Sequence, residues 1–204
     1  ITGPLKLNIP AATITNVLCK GASTGKITMN PVTGGTIDYT YAWSYQGRTT
    51  PDLISVPAGD YCVTVTDANQ CTANKCFTVS QPAQGITVTL NSLTNVTCNG
   101  RSDGRIDINV TGGSPFAPPQ FYTYQWVRNG VTLVGTQQDL TALVAGQYCV
   151  TVRDMAGCTK DTCFTVAQPA VLTASISNKG NASCSSGCNG FAVVKAQGGR
   201  TPYR

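Results

Sequence analysis

The sequence predicts an all-β chain built from tandem, disulfide-stapled β-sandwich repeats, and three observations support this. Helix-favouring residues are scarce, and Glu is absent from all 204 residues. Short segments alternate apolar and polar residues with period two, which is typical of strands with one buried face. One β-hairpin occurs twice with nearly the same sequence, at residues 59–82 and 146–169. We therefore expect an array of similar small modules.

The repeated hairpin is the best-defined element. In its first copy Tyr61, Val63 and Val65 alternate with polar residues and so share one face. The turn 67–70 begins with Asp and contains Asn, whose side chains bond the nearby backbone and tolerate left-handed dihedrals. The hairpin ends at Pro82, because proline cannot donate to a central ladder.

Two cysteines of each hairpin lie on the same face of their strands. A register that places Cys62 opposite Cys76 sets their Cβ atoms side by side, within reach of a disulfide. Cys149 and Cys163 repeat this arrangement in the second copy. Each hairpin is therefore predicted to carry its own disulfide.

The remaining cysteines of the two repeats could join the start of each module to its hairpin turn. Four cysteines per repeat permit three pairings. If the hairpin pairs form, Cys19 is left with Cys71, and Cys98 is left with Cys158. Closing a loop of about 52 residues would stabilise the module by about 4 kcal/mol.

Two further cysteines stand in the third copy of the pattern. Cys184 occupies the position of Cys19, and Cys188 has no counterpart in the other repeats. The partner of Cys184 is expected either at Cys188 or in sequence beyond Arg204.

Prolines at equivalent hairpin ends set the predicted module boundaries. Pro4, Pro82 and Pro169 occupy these positions. The 204 residues are expected to be a segment of a longer protein, which opens inside one module and closes inside another. The predicted organisation is a tail of a preceding repeat at 1–4, repeat 1 at 5–82, repeat 2 at 83–169, and a partial repeat 3 at 170–204.

Each repeat begins with a strand or two, then a turn and a bend. In repeat 1 the apolar anchors of the first segment are Leu7, Ile9, Ile14 and Val17. The following Gly-rich turn recurs in all three copies. A double glycine then marks a bend where positive φ is expected. The glycines are Gly34-Gly35, Gly112-Gly113 and Gly198-Gly199.

The next strand is aromatic. Trp43 shares one parity with Ile37 and with nearby tyrosines, including Tyr45, and Trp126 holds the same place in repeat 2. An inward-facing Trp on a mid-sequence strand suits the core of a two-sheet sandwich, whereas an exposed row would form a platform for sugar. With roughly seven short strands per repeat, the predicted fold is a tandem array of immunoglobulin-like β-sandwich repeats.

Composition indicates an exported protein. Ten cysteines, no histidine and no Cys-x-x-Cys pair favour disulfides in an oxidising compartment over a metal site. The net charge of +5 is scattered along the chain, so no nucleic-acid partner is expected. No apolar run approaches the length of a membrane span. The predicted localisation is extracellular, at the cell surface.

The sequence offers little for catalysis or metal binding. Without His or Glu, general bases are limited to Asp, Lys and Tyr. Asp67 and Asp154 stand at the hairpin turns, where a structural role suffices. Asp103 and Asp107 resemble an oxygen-rich cation loop, but repeat 1 has no acid there. We predict no catalytic residue, no metal site and no cofactor.

Repeat 2 has extra length in the segment Ser114–Gln120, a Pro-rich loop, and after Trp126. Added loop length leaves a core unchanged and alters what the surface displays. This loop, with exposed tyrosines, is the place where a carbohydrate-binding surface would be expected.

Together these residues form a pattern that resembles the SprB repeat of very large surface adhesins in gliding Bacteroidetes. The pattern is N-V-x-C, Gly-Gly, Tyr-x-Trp, Ala-Gly-x-Tyr, and an Asp turn followed by Cys. In repeat 1 it is carried by Asn16-Val17, Cys19, Gly34-Gly35, Tyr41, Trp43, Ala58-Gly59, Tyr61, Asp67 and Cys71. In repeat 2 it is carried by Asn95-Val96, Cys98, Gly112-Gly113, Tyr124, Trp126, Tyr148, Asp154 and Cys158.

The resemblance implies export to the cell surface and a long stalk or filament that adheres without catalysis. It also implies partners: neighbouring repeats of the same chain, other copies in a filament, and surface glycans or the substratum. The second cysteine pair of each repeat departs from the family pattern. The alternatives are a carbohydrate-binding module or a non-catalytic appendage of a secreted enzyme.

Overall fold

The computed structural model describes residues 5–114, 117–118, 121–133, 135–183 and 188–203. Every regular secondary-structure element among these residues is a β-strand. The predicted tail 1–4, most of the loop 114–120 and Cys184 lie outside the described residues. Two compact units divide the chain. The first comprises Ile1–Ile86, Gly112–Phe116 and Asp154–Cys158, and the second comprises Thr87–Thr111, Ala117–Arg153 and Thr159–Arg204.

The first unit contains a sandwich of two antiparallel sheets with strand orders β1-β2-β4 and β3-β5-β6. Ile27 and Leu53 of one sheet are buried in a common cluster with Trp43 and Val63 of the other. The strands are β1 (Ala12–Thr15), β2 (Gly25–Met29), β3 (Thr40–Trp43), β4 (Leu53–Val56), β5 (Gly59–Thr66) and β6 (Thr72–Val79).

The strands of repeat 2 repeat this architecture, with sheet orders β11-β8-β7 and β10-β9-β12-β13. Ile106 and Trp126 are buried in its two sheets. These strands are β7 (Thr87–Thr94), β8 (Gly104–Thr111), β9 (Thr123–Arg128), β10 (Val131–Thr132), β11 (Leu140–Leu143), β12 (Gly146–Arg153) and β13 (Thr159–Val166). The hairpin of repeat 3 follows as β14 (Thr173–Gly180) and β15 (Phe191–Gln197).

The predicted immunoglobulin-like fold is confirmed by topology. The sheet β1-β2-β4 has the order of immunoglobulin strands A, B and E, and β3-β5-β6 has that of C, F and G. The buried Trp43 stands on the strand equivalent to C. Tyr61 donates its hydroxyl to the carbonyl of Pro57 at 2.7 Å, the tyrosine corner that links strands E and F.

Two apolar residues that the sequence predicts to be buried are exposed, Ile14 as an apolar anchor and Ile37 by its parity with Trp43. Ile14 is 37% exposed, because β1 is an edge strand on which only the first residue is partly buried. Ile37 is 75% exposed. The backbone of Asp38 has φ 83°, which interrupts the alternation before β3 begins at Thr40, so Ile37 does not share the face of Trp43.

Candidate functional site

Each long hairpin carries a disulfide across its two strands. Cys62 lies directly opposite Cys76 in the register of β5 and β6, and the two form a disulfide with Cα atoms 3.9 Å apart. Cys149 and Cys163 form the same bond between β12 and β13. Strand parity predicts both pairs. The buried neighbours Tyr61 and Val63 alternate with Cys62, so this disulfide lies on the outer face.

A buried carboxylate organises the turn between the strands. Asp67 is 3% exposed, and its Oδ1 accepts hydrogen bonds from the backbone N–H groups of Asn69 at 2.9 Å and Cys71 at 2.8 Å. Its Oδ2 accepts the N–H of Thr36 at 2.9 Å. These N–H groups, that of Thr36 first, hold the pKa of Asp67 below its ordinary value against the opposing effect of burial.

The same turn is built in repeat 2. Asp154 is 1% exposed, and its carboxylate accepts the N–H groups of Cys158 at 2.9 Å and Ser114 at 2.8 Å. The structural role predicted for the two turn carboxylates is therefore the role that their contacts describe. Both turns also fix the backbone of the cysteine that follows.

The N-V-x-C segment lies at the other end of the module. The Ser80 N–H donates to the side chain of Asn16 at 2.9 Å, and the Gly21 N–H donates to the side chain of Gln81 at 2.7 Å. Cys19 stands between these two anchors in sequence. It therefore lies beside the C-terminal end of β6, where the chain leaves the module.

This placement makes the predicted Cys19–Cys71 disulfide wrong. Cys71 directly precedes β6, whose 8 residues span about 26 Å before Ser80 is reached. A disulfide requires Cα atoms within about 7 Å. The bond between Cys19 and Cys71 would therefore have to cross the length of the sandwich.

The predicted Cys98–Cys158 disulfide is wrong for the same reason. The Gly100 N–H donates to the side chain of Gln168 at 2.9 Å, just beyond the C-terminal end of β13. Cys158 directly precedes that strand. The two cysteines therefore lie at opposite ends of a strand of 8 residues.

Cys19 instead forms a disulfide with Cys158, with Cα atoms 5.5 Å apart and a sequence separation of 139. The segment Asp154–Cys158 belongs to the first unit together with Cys19. The bond joins the N-V-x-C cysteine of repeat 1 to the turn cysteine of repeat 2. Among the described residues Cys71, Cys98 and Cys188 are exposed and have no disulfide partner.

The acidic candidates for a cation loop have protein partners. The Asp103 carboxylate accepts the hydroxyl and the N–H of Thr97, which lower its pKa. Asp107 accepts the side-chain amide of Asn91 at 2.9 Å. In the described part of the chain, no group of three or more His, Cys, Asp or Glu side chains is placed to hold a metal ion.

The aromatic residues are mainly core residues. Trp43 and Trp126 are 3% and 1% exposed, so neither belongs to an exposed sugar platform. The ring of Tyr45 packs edge-on against Tyr61, with centroids 5.4 Å apart. Burial raises the pKa of Tyr124 to about 12, so its hydroxyl stays protonated at neutral pH.

Several positioning residues were not predicted. The Lys75 ammonium donates to the carbonyls of Ile9 and Pro10, both at 3.0 Å, and ties β6 to the first segment. The position equivalent to Lys75 in repeat 2 is Thr162, so repetition gives no signal for it. The bonds of Asn16 and Gln81 do recur in repeat 2, and repetition could have indicated them.

The topology and the tyrosine corner define a class of tandem immunoglobulin-like modules with disulfides. Within that class, the family model of the SprB repeat matches two regions, residues 11–46 and 90–131, which confirms the resemblance. The two matches and the disulfides support a structural or adhesion-type extracellular repeat. The described residues include no helix that is both long and apolar enough to cross a membrane.

No curated protein matches the sequence significantly. Among solved structures, three N-terminal domains of the Highly Immunogenic Outer Capsid protein (Hoc) of bacteriophage RB49 are similar at 18% identity and TM-score 0.43, covering 94% of this chain and 70% of that one. Extracellular domains 3–5 of Drosophila OTK are similar at 16% identity and TM-score 0.31, covering 78% of this chain and 60% of that one. The N-terminal four Ig domains of Dscam1 are similar at 13% identity and TM-score 0.34, covering 82% of this chain and 47% of that one. These similarities are too weak to support an argument about function.

Proposed function

We propose that this chain is a structural and adhesive segment of a long extracellular repeat protein that forms a surface filament or stalk, and that it has no catalytic activity. The SprB matches support the class of protein. The observation that carries the proposal is the Cys19–Cys158 disulfide, because it determines how the chain responds to tension.

Tension applied to the two ends of the chain would bypass most of the fold. From the N-terminal end it reaches Cys19 and crosses directly to Cys158 through the disulfide. The strands from β2 to β12 lie between these two cysteines in sequence, so they are outside the covalent path that bears the load. The strands that carry Trp43 and Trp126 are thereby outside the load path, and of the two sandwiches only β1 and β13 lie on it. This arrangement suits a stalk that grips a surface.

The state of the titratable residues supports a non-catalytic role. The Asp67 carboxylate is saturated by backbone N–H groups, and Asp103 is bonded to Thr97. A general base needs a free basic atom within reach of a substrate proton. The family match supports an extracellular repeat of the adhesion type, and we propose adhesion at the cell surface, as part of a gliding apparatus, as its context.

Single-molecule pulling on the 204-residue chain tests the proposal. Without reductant, we expect short unfolding lengths, because Cys19 and Cys158 hold the intervening chain. With reductant, we expect roughly 490 Å of additional contour length, from a separation of 139 residues at about 3.5 Å each. Cys19→Ser should give most of this gain without reductant, and Cys188→Ser should not. Equal unfolding lengths in both conditions would contradict the load-bearing role.

Adhesion to glycans is a separate part of the proposal. The loop 114–120 remains the predicted place for such binding, whereas Tyr122 and Tyr124, which follow it, are buried. A glycan array probed with the whole chain measures it directly. Binding that is lost when the loop is shortened to its repeat 1 length would favour the carbohydrate-binding alternative. Binding at background level would favour a purely structural role.

A further inference from the structure

We propose that Cys71 and Cys98 are the two halves of a repeated junction, and that each forms a disulfide with the complementary cysteine of another repeat of the same kind. This inference deepens the proposed structural role, on which it rests for the presence of further repeats.

Two types of cysteine define the junction. The first type follows Asn-Val in the N-V-x-C segment and is represented by Cys19 and Cys98. The second type follows the Asp turn and is represented by Cys71 and Cys158. The structure joins a first-type cysteine of repeat 1 to the second-type cysteine of repeat 2. Cys98 is the repeat 2 equivalent of the bonded Cys19, and Cys71 is the repeat 1 equivalent of the bonded Cys158.

The local surroundings of the second-type cysteines are the same in the two repeats. The N–H of the bonded Cys158 donates to Asp154 at 2.9 Å, and the N–H of Cys71 donates to Asp67 at 2.8 Å. Cys71 is exposed. It is therefore held in the backbone frame that already carries a junction disulfide at Cys158.

The first-type cysteines also share their surroundings. Two residues after the bonded Cys19, the Gly21 N–H donates to Gln81 at 2.7 Å. Two residues after Cys98, the Gly100 N–H donates to Gln168 at 2.9 Å. Cys98 is exposed as well. Both first-type cysteines are thus held beside the C-terminal end of their own module.

The positions of the two types give the junction a direction. First-type cysteines lie where the chain leaves a module, and second-type cysteines lie at the opposite end of the last strand. A disulfide between them can therefore join a module to the one that follows it but cannot close within a module. Cys98 is expected to bond a following repeat, and Cys71 is expected to bond a preceding one.

Formation of the bond requires an oxidant of the disulfide class, such as oxidised glutathione. The Cys98 thiolate attacks the disulfide of the oxidant, so that a mixed disulfide forms and one thiol leaves. The Cys71-type thiolate of the second repeat then attacks the Cys98 sulfur and releases the second thiol. Two protein thiols are oxidised, and one disulfide of the oxidant is reduced to two thiols.

A mixing experiment tests the pairing. Cys71→Ser and Cys98→Ser are each made in the 204-residue chain in a Cys184→Ser, Cys188→Ser background, and each is exposed to a glutathione redox buffer. A mixture of the two variants contains one Cys98 donor and one Cys71 acceptor. We expect at least ten-fold more disulfide-linked dimer in the mixture than in either variant alone, with a Cys98–Cys71 peptide in the non-reduced digest.

The same digest contains a control for the fold of the variants. Recovery of the Cys19–Cys158 peptide reports that the variants retain the native pairing. Absence of dimer in the mixture, or equal dimer in either variant alone, overturns the proposal. Non-reduced digestion of the protein taken from the cell surface supplies a second reading: free thiols at Cys71 and Cys98 overturn it as well. A monomeric mass there would place the partner in the same chain, and a larger mass would place it in another copy.

The test is independent of the proposed surface role. Pulling and glycan binding measure the load path and adhesion, whereas the mixing experiment measures only the pairing of two thiols. A negative mixing result would therefore leave the proposed function standing.

Discussion

A single carboxylate accounts for much of the shape of each hairpin turn. Asp67 accepts the N–H groups of Asn69 and Cys71, which follow it in the turn, and that of Thr36, which lies 31 residues away in sequence. Asp154 repeats the arrangement with Ser114. A carboxylate with two oxygens can accept all of these bonds at once, and an amide side chain cannot, since one of its two ends is a donor.

This arrangement predicts acid sensitivity at one residue. The pKa of Asp67 is lower in the folded chain than in the unfolded chain, so its stabilising effect is complete above the ordinary Asp value of about 4 and is lost as the pH falls below it. We expect the melting temperature of Asp67→Asn to lie below that of the unsubstituted chain at pH 7. The difference should shrink as the pH falls from 5 to about 2, as measured by circular dichroism.

The exposed Asp38→Asn is the matched control and should show no such convergence. A difference between Asp67→Asn and the unsubstituted chain that stays constant over the whole range would mean that the charge of Asp67 is not what stabilises the turn.

Among the connections between strands, the double-glycine bend places the clearest constraint on residue type. Gly34 has φ 73°, and a Cβ there would collide with the carbonyl oxygen of Lys6. A Cβ at Gly112 would collide with the carbonyl oxygen of Gly85 in the same way. The bend therefore needs glycine for two reasons, the left-handed backbone and the close approach of the first segment.

A pair of substitutions separates these two reasons. Gly47 also has positive φ, at 60°, but a Cβ there meets nothing within 4 Å. We expect Gly47→Ala to cost about 1 kcal/mol from the backbone alone. Gly34→Ala should cost about 3 kcal/mol or more, because the bend and the first segment must also separate. Urea denaturation measures both, and equal costs would contradict the close approach.

The hairpin disulfides are expected to stabilise each element separately. Cys62→Ser with Cys76→Ser opens a loop with a sequence separation of 14, and should lower the free energy of unfolding by about 3 kcal/mol. Guanidinium denaturation measures the change. Cys188→Ser, at an exposed position, should change stability by less than about 0.5 kcal/mol. A double variant as stable as this control would show that the β5–β6 register alone holds the hairpin.

For the whole molecule, the pairing of Cys19 is the decisive feature. Non-reduced proteolysis and mass spectrometry should yield a peptide that joins Cys19 to Cys158 and none that joins Cys19 to Cys71. The thiols of Cys71 and Cys98 should react with an alkylating reagent in the purified monomeric chain, since both are exposed. A Cys19–Cys71 peptide would contradict the pairing and remove the basis for the shielded load path.

Local features of this protein could be predicted from the sequence because they depend on short-range geometry. Period two placed Tyr61 and Val63 in the core and Cys62 on the outer face, and the register followed from a four-residue turn. The recurrence of the hairpin and of the Trp strand indicated repeated sandwiches. The alternation failed at Ile37, because the backbone of Asp38 is left-handed and parity cannot carry across such a residue.

The partner of Cys19 was decided by the tertiary structure alone. Counting cysteines within a repeat treats the module as if any two of its residues could meet. Hydrogen bonds to the Asn16 and Gln81 side chains hold the N-V-x-C segment beside the C-terminal end of β6, whereas Cys71 directly precedes the other end of that strand. A fully extended strand of 8 residues keeps its ends apart, so the sulfur of Cys19 can be reached only from outside its own repeat.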